Sequence, residues 1–76
     1  MPHIVAKLRS GYSELQKERL ASSLAECVVQ SLDCPMFDVS VGIEDVPQID
    51  WAESVHRAEV RDKSATIYKL PGNVEN

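Results

Sequence analysis

From His3 to Arg9 the side chains alternate. Ile4, Ala6 and Leu8 fall on one side of an extended chain and His3, Val5 and Lys7 on the other, the period-two pattern of a strand. Ser10-Gly11-Tyr12 interrupts the pattern as a turn. Beyond Ser13 the period lengthens. Leu20, Leu24, Val28 and Leu32 recur every fourth residue, and Ala21, Ala25 and Cys27 widen the stripe, which predicts an amphipathic helix. Ser13-Glu14-Leu15-Gln16 has the S-x-x-Q form of a capping box: the hydroxyl accepts from the amide of Gln16, and Gln16 reaches back to the amide of Ser13. Pro35 cannot continue a helix and restricts the residue before it, so the helix must end near Leu32 or Asp33. Its length, about 30 Å, is enough to carry the chain back along a strand. A second alternation, Val39, Val41 and Ile43 against Ser40, Gly42 and Glu44, predicts a strand over 38–46. Strand, long helix and strand make a βαβ unit, with parallel strands and a right-handed crossover.

After Pro47 the pattern weakens. Asp50 is placed to cap a short helix over 51–56, residues 57–63 read as exposed, and 64–69 as one more helical turn before Pro71-Gly72. The expectation is one α+β domain over 1–76, with a core at 2–46 and an extension at 47–76 that carries short helices.

Size changes this picture. A 76-residue chain buries a smaller share of its surface than a typical domain, and a two-stranded sheet under one helix keeps an open edge and a bare face. Such a chain needs a staple, a metal or a partner. Cys27 and Cys34 lie seven apart, not in a C-x-x-C spacing, and no histidine set completes a zinc site with them. No leading apolar run reads as an export signal, so the cytoplasm, where thiols stay reduced, is the expected compartment. Cys27 reads as core and Cys34 as a loop thiol. The remaining route is a homo-oligomer, a dimer being favoured from the extended tail. Twelve acidic residues against eight basic give a net charge of −4, which argues against nucleic acid as a partner. No segment approaches the ~18 apolar residues of a membrane span.

Five segments carry a resemblance. Met1-Pro2-His3-Ile4, then Ser13-Glu14-x-Gln16-Lys17 opening a helix, then Val39-Ser40-Val41-x-Ile43-Glu44-Asp45-Val46 resemble the 4-oxalocrotonate tautomerase family. Trp51-Ala52-Glu53-x-Val55 and Ile67-Tyr68-Lys69-x-Pro71-Gly72 resemble a longer branch of it, which includes dimeric bacterial tautomerases of phenylpyruvate-like enols. The resemblance spans Pro2 to about Gly72. It implies a β-α-β protomer that associates through its sheet. It also implies loss of Met1, with the freed Pro2 nitrogen moving a proton between oxygen and carbon in a mostly apolar pocket. The arginines with which hexameric members hold a dicarboxylate fall, by spacing, at Tyr12 and Ser40. Neither side chain can form a two-point pair with a carboxylate, so an aromatic or monocarboxylate substrate fits better. Trp51 stands where the family carries an aromatic residue after the second strand.

The chemistry agrees with such a residue. Keto–enol interconversion needs one group that takes a proton and returns it elsewhere, best with a pKa near the working pH, and it needs no cofactor or metal. A terminal amine titrates at about 7.7–8.0, and apolar surroundings lower that value. Ile4, Leu8 and Val39 are candidates for those surroundings. Tyr12, Ser40, Trp51 and Lys69 are candidate donors to the developing enolate, and the sequence does not choose among them. Had Met1 stayed in place, it would turn the nitrogen into an amide without basicity. A non-catalytic interaction or ligand-binding module on the same scaffold is then the alternative. His3 reads as a structural or interface residue and His56 as a solvated one.

Overall fold

The computed structural model describes residues 1–69, 71 and 72. It resolves into two compact units, Met1–Val46 and a second beginning at Pro47. The first unit is β1 (His3–Arg9), α1 (Glu14–Leu32) and β2 (Ser40–Val46). The strands pair in parallel from His3↔Ser40 to Arg9↔Val46, so the βαβ topology and the first strand's limits are those of the sequence pattern.

The turn after β1 is closed by the Ser10 amide, which donates to the Val46 carbonyl at 3.2 Å. Gly11 follows at φ +127°, a conformation that strongly favours glycine. Ser13 then caps α1, and both halves of the box are formed: the Gln16 amide donates to Ser13 Oγ at 3.1 Å and the Ser13 amide to Gln16 Oε1 at 2.9 Å. The helix ends where Pro35 requires, with Asp33 left-handed at φ 54°. Ser13→Ala is expected to lower stability by about 1 kcal/mol, read as the midpoint of urea unfolding at unchanged slope. An unmoved midpoint would show that the box contributes nothing.

One face of α1 covers the sheet. Lys17, Leu20, Ala21, Leu24, Ala25, Val28 and Val29 are half-buried, as are Ile4, Ala6, Leu8, Val41 and Ile43 on the strands. Two stripe positions depart from the pattern. Cys27 is exposed, not core; it lies about 100° of helical rotation from the middle of the covered stripe. Leu32 is 63% exposed, because a 19-residue helix is ~28 Å long and overhangs strands of ~23 Å. Cys34 is a half-buried thiol in the loop.

β2 starts two residues later than the alternation predicts. Pro35 opens a 3₁₀ turn over Met36–Asp38. The Asp38 and Val39 amides donate to the carbonyls of Pro35 and Met36, leaving Ser40 as the first residue free to join the ladder.

The second unit is also rearranged. A helix begins at Gln48, not after Asp50, and runs as α-helix α2 (Gln48–Trp51) into a wider π-helical stretch (Ala52–Arg61). Asp50 caps nothing; its amide donates to the Pro47 carbonyl within the first turn. Residues 57–61 continue it past the expected end at 56; of the stretch 57–63 read as exposed, Glu59 and Val60 are half-buried and the rest is exposed. Arg57 pairs with Glu53 at 2.8 Å, and the Asp62 amide reaches the Arg57 carbonyl in an i→i−5 bond. His56 is half-buried and Val55 is the buried residue. Ser64–Thr66 form a 3₁₀ turn, with Lys69 exposed beyond it. Among the described residues no helix is long and apolar enough to cross a membrane.

Candidate active site

Pro2 precedes β1 and is half-buried, whereas Met1 is 97% exposed. Removing Met1 therefore disturbs almost no packing. The only ladder contact of residue 2 is through its carbonyl, which accepts from the Ser40 amide at 3.1 Å. Ser40 also meets the neighbouring residue. Its hydroxyl and the His3 ring nitrogen Nδ1 lie 2.6 Å apart, across the first rung of the sheet. The hydroxyl donates when Nδ1 carries the lone pair and accepts when Nδ1 carries the proton. Both side chains are exposed, on the face away from α1.

Tyr12 lies elsewhere. It is 53% exposed and lines a hollow of about 330 Å³ with Leu8, Gln16, Lys17 and Leu20. Leu8 is six steps along the chain from Pro2, which is ~20 Å on an extended strand. Ser40 and Tyr12 thus occupy opposite ends of β1 within one protomer, and the hollow is not at Pro2. Of the three apolar candidates, Ile4 and Val39 are half-buried near the Pro2 end, and Leu8 belongs to the Tyr12 end. Trp51, half-buried, and Lys69, exposed, both belong to the second unit.

Two contacts were missed in the sequence. One is the His3–Ser40 bond, visible only once the register is known. The other is Lys17, whose Nζ sits 2.8 Å from Asp45 Oδ2 and 2.9 Å from Glu14 Oε1, with the side chain 16% exposed. Its position on the covered stripe, three before Leu20 and seven before Leu24, was the available signal. The hydrogen bond to Asp45, then that to Glu14, raises the Lys17 ammonium above its ordinary 10.5. A raised value means that the folded state holds the proton more tightly. The stabilisation is complete below the unfolded-state value and is lost as pH climbs through the folded one. Stability measured from neutral pH to above 10.5 is expected to fall less steeply in Lys17→Met than in the parent. Identical alkaline slopes would remove the pair from the stability of the fold.

No family model matches the chain. Curated relatives do. A "Probable tautomerase" of Xylella fastidiosa (strain 9a5c) is 36% identical over 72 residues, covering 95% of this chain and 88% of the relative. "Tautomerase PptA" of Enterobacter sp. (strain 638) is 32% identical over 73 residues, covering 95% and 96%. "Tautomerase PptA" of Cronobacter sakazakii (strain ATCC BAA-894) is 30% identical with the same coverage. Among solved structures, the crystal structure of apo unfused 4-OT superposes with a TM-score of 0.63 at 39% identity, over 64% of this chain and 80% of that one.

Proposed function

Since the chain belongs to the 4-oxalocrotonate tautomerase family, we propose that it is a cofactor-free keto–enol tautomerase in which Pro2, freed of Met1, serves as base and then acid. The observation that carries this reading is the setting of residue 2. It is half-buried at the head of β1, held by its carbonyl to Ser40, and the methionine before it is exposed. Loss of Met1 leaves a secondary amine whose ring fixes the direction of its lone pair. Partial burial disfavours the ammonium form and moves the nitrogen toward readiness as a base near neutral pH. The neutral nitrogen takes the proton from the enol oxygen and, as the ammonium, delivers it to carbon. Each turnover leaves the amine as it began.

The substrate proposed is an aromatic or monocarboxylate enol, since Tyr12 and Ser40 stand where a dicarboxylate would meet arginines. Tyr12, Trp51 and Lys69 remain proposed contacts for it, while the Ser40 hydroxyl is already engaged with His3 Nδ1. Tyr12 lies too far along β1 to meet a substrate at its own Pro2, so a homodimer in which one protomer's Tyr12 end approaches its partner's Pro2 end is part of the proposal. Intact mass of protein from its native cell, followed by ultraviolet measurement of phenylpyruvate enol converting to keto, tests the reading. Loss of one methionine together with turnover supports it. Protein that keeps Met1, or processed protein without turnover on any enol of this class, supports instead a ligand-binding module.

A further inference from the structure

Residue 2 lies outside the strand, and chain ends fray unless they are tied down. Once Met1 is gone, its carbonyl is the one group of Pro2 that shares a hydrogen bond with the sheet, and the donor is the Ser40 amide. The same serine binds the next side chain, His3 Nδ1, at 2.6 Å. Ser40 therefore grips two consecutive residues at once, one through backbone and one through its hydroxyl, at the first rung of a parallel ladder. A base works only if its lone pair is held toward the reacting carbon, and small displacements cost rate steeply. The Pro2 ring is carried on the Pro2–His3 peptide, and the two bonds to Ser40 hold that peptide by its carbonyl and by the side chain that follows it, which fixes φ of His3 and leaves ψ of Pro2 as the one backbone torsion of the ring. We propose that His3 and Ser40 form a positioning pair for the Pro2 nitrogen, a role that rests on the amine chemistry proposed above.

The pair makes a demand on Ser40 that a plain substrate contact does not. As a donor to substrate, Ser40 would act alone, and its loss would show mainly in KM. As half of a clamp, it acts through His3, and loss of either partner removes the same thing. The hydroxyl bond also survives either tautomer of the ring, so the clamp needs a side-chain atom at the position of Nδ1 rather than an imidazole as such. Asparagine carries a polar atom at that position and phenylalanine does not.

The test is a cycle of Ser40→Ala, His3→Phe and their double variant, with His3→Asn as rescue. Each is characterised in the full, processed chain by steady-state kinetics on phenylpyruvate enol and by hydrogen exchange at the residue 40 amide. Each single variant is expected to lower kcat about tenfold with KM within about twofold. The double variant is expected to lower kcat by the same tenfold rather than a hundredfold, and His3→Asn to recover most of it. In His3→Phe the residue 40 amide, bonded to the Pro2 carbonyl, exchanges faster. Multiplying losses, a change confined to KM, no rescue by asparagine, or unaltered exchange would overturn the pair. Exchange is read without turnover, and Pro2→Ala is run beside it. Faster exchange with full activity in both His3→Phe and Pro2→Ala therefore identifies the amine chemistry as the part that failed, and the positioning role is overturned with it.

Discussion

Pro2→Ala, with Met1 removed in variant and parent alike, is expected to lower kcat/KM for phenylpyruvate ketonisation about a hundredfold while leaving the unfolding midpoint almost unmoved. A positioned proton-transfer group contributes roughly 10²–10⁴-fold, and alanine keeps a terminal amine, so the lower end applies. What alanine removes is the ring: the nitrogen becomes primary and free to rotate about its bond to Cα, and its lone pair has no set direction. What it keeps is the carbonyl that accepts from the Ser40 amide. Pro2 is only half-buried, so little packing is lost with the ring. The effect therefore belongs to chemistry rather than to folding, and intact mass of both proteins guards against a retained methionine. A rate equal to the parent's would remove the ring nitrogen from the mechanism.

The elements around this residue were legible to different depths, and the reason is physical. β1, α1 and their parallel partner declare themselves because each carries its own period and its own punctuation: alternation from His3 to Arg9, the four-residue recurrence from Leu20, the box at Ser13 and the stop at Pro35. These signals are local, and the family resemblance rests on the same segments. The 3₁₀ turn at Met36–Asp38 was hidden because Val39 continues the alternation in sequence while its amide is taken by Met36. The helix after Pro47 was misjudged because Asp50 resembles a cap, whereas Pro47 itself stands at the N-cap and the helix opens at the next residue. The site divides the same way. Pro2 could be singled out from position and resemblance. The Ser40 hydroxyl's engagement with His3 depends on register, a relation between residues 37 apart that no local pattern encodes.

Val5→Asp is the second large effect. Among the described residues only Val55 is buried, at 9% exposure, and the sheet residues beneath α1 are no more than half-buried. A folded chain that stays in this state exposes much of the apolar surface its folding should remove from water. On the face of the sheet away from α1, Val5 is 44% exposed beside Gly42. Among the described residues a β-carbon built on Gly42 would meet only Val5 Cγ2, at 4.0 Å, so they leave this part of the face shallow. If a second copy covers it, stability is tied to protomer concentration, and the parent's unfolding midpoint rises as protein is concentrated. An aspartate at position 5 then puts an unpaired carboxylate into the joint. Burying such a charge costs about 3 kcal/mol or more, which for a chain of this length lowers the midpoint by roughly 10 °C or more. Sedimentation of Val5→Asp is expected to show monomer where the parent shows an assembly. Its midpoint no longer moves with concentration, and turnover falls because Tyr12 and the partner's Pro2 end no longer meet. A variant that sediments, melts and turns over like the parent would show that this face stays in water.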